Sequence, residues 1–244
     1  MPPRQRDDRS DGIVGVDWDT FARWFGSVWQ PGEHIACIGP TGVGKSTFVV
    51  RVLALRKYVL AIDPKGEDST LTASGFVRIR SWPPPEQIRK DIADGKGAKL
   101  IVGGGIRSAA DWDALERTVG ECLDAVFAEG GWTTFLDELQ IAAQMMGHSR
   151  RVQRNLVGAR DKGVSMVTAY QAPSWVPTAS SRQAKWMALW TTRDEDVIKN
   201  VAAKAGRPKS EIMALLHTMP EYHVAIIGQN PRDPIVITHP PQLD

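Results

Sequence analysis

The sequence predicts an α/β protein in which a mostly parallel sheet lies between two layers of helices and a C-terminal antiparallel hairpin extends it. Three observations carry this. Short apolar runs such as HIACIGP (34–40) and KYVLAID (57–63) alternate with helical patterns. The first of these runs ends in a glycine-rich turn that opens directly into a helix. The last two apolar runs, EYHVAIIG and PIVITH, are separated by the short polar stretch QNPRD, which is hairpin spacing.

The elements follow in order. DTFARWFGSVW is the first helical pattern, with Asp19 or Thr20 as its cap and Phe21, Trp24, Phe25 and Trp29 on one face. HIACIGP is a buried strand, and KSTFVVRVLAL is the helix after the glycine turn. KYVLAID is a second strand, stopped by PKGED, and KLIVGGG after the turn WPPPEQ is a third. The helix DWDALERTVGECLDAVFAE leads to a fourth strand, WTTFLDE. SRRVQRNLVGARDKG reads as helical, VSMVTAYQ as a fifth strand and AKWMALW as a sixth. DEDVIKNVAAKAG is a helix with a glycine stop, SEIMALLHTM a short one, and the hairpin closes the chain. The organisation expected is a polar leader and helix over 1–31 and one large domain over 32–244.

Bulk properties exclude more than they assign. A chain of 244 residues with 42% hydrophobic and 24% charged residues buries a full core. The net charge of +2 creates no global field, so any nucleic-acid contact must rest on local patches. There are two cysteines, Cys37 and Cys122, with no metal-type spacing, which reads as two reduced core thiols in a cytoplasmic protein. No run of 18 apolar residues is present, so no membrane insertion is expected. The nine tryptophans are scattered and are expected to anchor the core or interfaces.

The stretch GPTGVGKST, Gly39 to Thr47, has the pattern G-x-x-x-x-G-K-[ST] in its required context, between a strand and a helix. Gly39, Thr41, Gly42, Val43 and Gly44 form a loop whose backbone amides face phosphates, and the helix N-terminus adds positive partial charge. Lys45 is expected to reach the β- and γ-phosphates of ATP, Ser46 to ligate Mg²⁺, and Thr47 to lie at the α-phosphate. The strand WTTFLDE ends in Asp137 and Glu138. Asp137 suits the Mg²⁺ and Glu138 suits the general base for the attacking water. A strand-end pair of carboxylates favours hydrolysis over transfer to a small molecule, where water must be kept out. The fold class is therefore a three-layer P-loop NTPase of the RecA/ASCE type.

Three further stretches make a set with these. Asp63-Pro64-Lys65-Gly66-Glu67 ends the second strand, Gln171 ends the strand after the acidic pair, and SSRQAKWMALWTTRDEDVIKNVAAKAG follows. Together, over about residues 32–205, they resemble the FtsK–HerA superfamily of ring-forming DNA-pumping ATPases. That group includes chromosome translocases, secretion coupling proteins and viral genome-packaging ATPases. The resemblance implies a homo-oligomer, a hexamer, acting on double-stranded DNA without sequence preference. It also implies that Gln171 senses the γ-phosphate and that an arginine acts on the neighbouring subunit's nucleotide. The segment SRRVQRNLVGARDKG offers Arg150, Arg151, Arg154 and Arg160 for that role. Arg160 is the first choice and Arg154 the second, while a solvated face or contact with DNA phosphates remain alternatives for each.

The membrane segments and winged helix of the translocases, the inserted helical domain of coupling proteins and the barrel of HerA have no counterpart in the 244 residues. What remains looks most like the compact packaging motors of membrane-containing viruses. This implies portal or membrane-vertex partners, in the host cytoplasm or on the virion. Gly103 to Ser108 and Gln144 to Arg151 are candidate DNA-gripping segments. The expected function is an ATP-hydrolysing DNA translocase. The alternatives are an ATP-dependent protein-remodelling or assembly factor and, third, a nucleotide-gated scaffold or small-molecule kinase.

Overall fold

The computed structural model describes residues 12–66, 69–104, 106–158, 160–171 and 178–242. The expected polar leader up to residue 11, and Glu67, lie outside the described residues.

The sheet begins with a short strand, β1 (Ile13–Gly15), and continues through β2 (His34–Ile38), β3 (Tyr58–Ile62), β4 (Val77–Ile79) and β5 (Ala98–Val102). It is completed by β6 (Thr133–Leu136), β7 (Ser165–Tyr170), β8 (Ala184–Leu189), β9 (Val224–Gly228) and β10 (Ile235–Thr238). The spatial order is β1-β10-β9-β8-β2-β7-β6-β3-β5-β4. Among the described strands only β9 runs against the rest, because it is antiparallel to both β8 and β10 while every other pairing is parallel. This is the expected fold class, with the C-terminal hairpin at one side.

Strand alternation builds a core on each face. On β2, Ala36 and Ile38 point to one core and Ile35 and Cys37 to the other; on β3, Leu60 and Ile62 part from Val59 and Ala61 in the same way. Helices α1 (Trp18–Val28), α2 (Lys45–Leu53) and α3 (Ser69–Ala73) supply one outer layer through Phe21, Phe25, Phe48 and Leu71. The other layer comes from α4 (Glu86–Ala93), α5 (Ala109–Glu129) and α6 (Ser149–Val157), then α8 (Glu195–Ala205) and α9 (Lys209–Thr218). Between α6 and α8 lies the short α7 (Thr178–Gln183). Cys37 and Cys122 are free and buried in opposite cores, so they cannot pair. Burial pushes both thiols up to about 12, which leaves them inert.

One feature of the N-terminal part differs from expectation. The cap of α1 is Asp17, ahead of Asp19 and Thr20 by less than a turn, and its carboxylate accepts from the Thr20 amide at 2.9 Å. In the same part of the chain β1 pairs with β10, and Phe21, Phe25 and Trp29 stack in the core. An aromatic row along one helix face cannot stay in water, and the sheet offers it the nearest cover. The tryptophans Trp29, Trp132, Trp186 and Trp190 are buried, which bears out their anchoring role.

Candidate nucleotide site

Parallel strands end at a common edge, and here that edge collects the chemistry. β2 runs into Gly39, β3 into Asp63-Pro64-Lys65-Gly66, β6 into Asp137-Glu138 and β7 into Gln171. β7 lies between β2 and β6, so its terminal side chain sits between the glycine loop and the acidic pair.

Gly44 is the N-cap of α2 at φ +92, a left-handed conformation that lets successive amides turn toward one point. Gly39 has a packing reason. A Cβ there would approach the Cβ of buried Trp190 to 2.9 Å, and Trp190 is itself wedged edge-on against Phe48 of α2. The Lys45 ammonium donates to the carbonyl oxygens of Gly39 at 2.7 Å and Pro40 at 2.5 Å. Burial lowers the pKa of Lys45, while the Asp137 and Glu138 carboxylates push it back up.

Asp137 is tied to β3 by its amide, which donates to the Ile62 carbonyl at 3.1 Å. Glu138 takes a left-handed backbone at φ +51, which costs a non-glycine residue about 1–2 kcal/mol. Its side chain turns toward β3, where the Lys65 ammonium lies 2.5 Å from its Oε1. Gln171 donates from Nε2 to the Thr41 hydroxyl at 2.9 Å, so the end of β7 touches the glycine loop directly.

These groups line one cavity of about 440 Å³, formed by Thr41, Gly42, Gly44, Lys45, Ser46 and Thr47 on one side and Asp137, Glu138, Gln140, Ala169, Tyr170 and Gln171 on the other. Every site residue expected outside the arginine segment borders it except Gly39 and Val43, which support it from behind. The residues fit a nucleotide's phosphates: a left-handed glycine cap, a helix N-terminus and one lysine face the same space. They also fit Mg²⁺ that arrives with the nucleotide, since Ser46 and Asp137 share the cavity. Among the described residues no group of three or more His, Cys, Asp or Glu side chains is arranged to hold a metal, so phosphate oxygens and water must complete such a shell.

The arginines lie elsewhere. Arg160 follows α6 in a short turn at the N-terminal end of β7, with its side chain exposed; its backbone packs so closely on Gly32 that a Cβ there would lie 2.9 Å from the Arg160 Cα. That is the opposite sheet edge from the glycine loop of the same chain. Arg154 is engaged locally, 2.6 Å from Asp124 on α5 and over the Phe127 ring at 4.5 Å. Arg151 shares the same carboxylate at 3.0 Å.

Sequence reasoning assigned no role to Gln140 and Tyr170, which line the cavity, or to Lys65, which holds Glu138. Only Lys65 left a signal, as the single cation in a turn at the same sheet edge.

No family model matches the chain, and no curated protein does either. Solved structures do. The genome packaging NTPase B204 from Sulfolobus turreted icosahedral virus 2 is 17% identical at a TM-score of 0.59, covering 88% of this chain and 100% of its own. B204 described as the DNA-packaging ATPase of Sulfolobus turreted icosahedral virus gives 16% identity, a TM-score of 0.58 and the same coverage. VirB4 of Thermoanaerobacter pseudethanolicus is 10% identical at a TM-score of 0.59, covering 86% of this chain and 89% of its own. At such identities the likeness is one of fold. The chain therefore has the α/β fold of these ATPases, the fold implied by its resemblance to the FtsK–HerA superfamily.

Proposed function

We propose that the protein is an ATP-hydrolysing motor that moves double-stranded DNA through a homo-oligomeric ring. The observation that carries this reading is the single cavity in which the glycine loop, the Asp137-Glu138 pair and Gln171 converge. Hydrolysis needs a phosphate cradle, a metal carboxylate and a base for water in one space. In this reading Lys45 neutralises the phosphates, Ser46 and Asp137 hold Mg²⁺, and Glu138 accepts the proton of the attacking water. When bound, Mg²⁺ supplies charge neutralisation at the phosphates. In the same reading Gln171 reports on the γ-phosphate position, supported by its seat at the end of β7 and its hydrogen bond to Thr41 of the loop.

Genome packaging by the B204 proteins, taken with the motif set of this chain, supports DNA as the cargo. Arg160 stands at an exposed edge away from its own loop, which suits an arginine offered to a neighbour. The test is ATP turnover with and without duplex DNA, beside a mass measurement of the assembly. Turnover stimulated by duplex DNA in an oligomer is the expected result. Hydrolysis indifferent to DNA, or a strict monomer, overturns the translocase reading and favours a protein-directed assembly factor.

A further inference from the structure

A second cavity, about 640 Å³, opens at the ends of β4 and β5, beyond the nucleotide cavity on the same sheet edge. Arg78 of β4, Arg80 just after it and Arg107 in the segment before α5 line it, with Gly66, Gly103 and Gly104 between them. Among the described residues, none of the three guanidiniums has a carboxylate within ion-pair distance. The Arg78 guanidinium donates to the Gly103 carbonyl, which pins it to the wall. The Arg80 and Arg107 side chains are exposed and make no hydrogen bond among the described residues.

Among the described residues the acid lining the cavity is Asp111, whose carboxyl is held below its ordinary pKa mainly by local hydrogen bonds, with the Arg107 charge as a smaller cause. It accepts from the Arg107 amide at 2.9 Å and the Ser108 hydroxyl at 2.9 Å, inside the first turn of α5. The N-terminus of that 21-residue helix adds positive partial charge to the same wall. Among the described residues that line the cavity three arginines stand against one carboxylate, and an anion among them offsets their mutual repulsion through charge-assisted hydrogen bonds.

We propose that this cavity binds the phosphodiester backbone of nucleic acid; the inference rests on the translocase reading and names where the cargo is held. The form of the cavity favours a polymer over a small anion. It is open, its two unoccupied arginines stand on different elements, and its glycine wall lets a sugar–phosphate chain come close. Nothing in it reads a base, which suits sequence-independent grip.

The cavity is also joined to the nucleotide site. A Cβ on Gly66 would come within 2.1 Å of the Gly104 Cα, and one on Gly103 within 1.7 Å of the Asp63 carbonyl oxygen. The β3 and β5 turns are thus in backbone contact, with no side chain to absorb a displacement. Lys65, beside Gly66, pairs with Glu138. A strand of DNA pressing on one turn therefore moves the partner of the base.

The test is duplex DNA binding by anisotropy over a range of salt, with ATP turnover beside it. An Arg80→Gln/Arg107→Gln double variant is compared with wild type, with Arg80→Lys/Arg107→Lys, and with Arg232→Gln in the β9–β10 turn. The glutamine pair is expected to bind duplex at least about tenfold more weakly, with the slope of log K against log salt reduced by about 2. Its DNA-free turnover should be unchanged and its DNA stimulation lost. The lysine pair should retain most binding, which guards against a folding defect. Equal affinity and slope in the glutamine pair and Arg232→Gln overturn the proposal while leaving the translocase reading intact. Failure of wild type to bind any duplex overturns both.

Discussion

Lys65 and Glu138, 73 positions apart in the chain, meet at 2.5 Å between the ends of β3 and β6. Their side chains are 49% and 42% exposed, so the pair is worth only about 0–1 kcal/mol. It is strong enough to bias where the carboxylate points and weak enough to exchange. Lys65→Met is expected to raise DNA-free turnover, by up to about fivefold, which is what 1 kcal/mol allows. It should also shrink the stimulation by DNA. Steady-state turnover at saturating ATP checks this; a fall in kcat at unchanged KM would make Lys65 part of the chemistry instead.

Gln171 reaches the loop through the Thr41 hydroxyl at 2.9 Å. Both groups are exposed, so their contact adds little stability. Gln171→Ala should leave the melting temperature and the Kd for a fluorescent ATP analogue nearly unchanged and lower kcat at least about tenfold. A parallel loss of nucleotide affinity would show that Gln171 only shapes the loop.

The two arginines separate in a mixing experiment. Arg154 braces α6 on α5 through Asp124 and Phe127, so Arg154→Ala should lower stability by about 1–2 kcal/mol and act additively in mixed assemblies. Arg160 has an exposed side chain, so Arg160→Ala should leave stability within about 0.5 kcal/mol. If it serves a neighbour's nucleotide, small fractions of it will depress turnover of mixed assemblies more than in proportion. A simple average would remove it from that role.

Lys204 on α8 is partly buried with no hydrogen-bond partner for its ammonium among the described residues, and desolvation, reinforced by Arg182, lowers its pKa to about 8. The unfolded chain holds this proton up to about pH 10.5. The folded state therefore bears the full cost of the charge below pH 8, and that cost fades as pH rises toward 10.5. Lys204→Met should melt higher than wild type at pH 7, and the gap should close by pH 10. A gap independent of pH would assign the effect to packing alone.

The sheet and its edge were legible because apolar periodicity and strand-end chemistry are local. Gly39 to Thr47, Asp137-Glu138 and Gln171 each follow a strand that the sequence marks, and parallel strands must end together. β1 was not legible because it is only three residues long and its partner lies more than 200 positions away. β4 is as short, and it follows a helix of only five residues. Lys65's partner and the contact between Gly66 and Gly104 depend on which strands neighbour one another, and spacing along the chain does not carry strand order. GGG at 103–105 reads as a loose loop in sequence, yet Gly103 is buried, at φ +138, against the carbonyl of Asp63.

Both margins of the sheet, β1 and β4, are three residues long. Margins so short offer too few free amides and carbonyls to template another strand. Among the described residues, the margins give copies of this chain little to fuse into a shared sheet. A joint between them must be made by side chains and turns, which can slide and re-form. A joint of that kind lets neighbouring copies change their tilt without melting backbone structure.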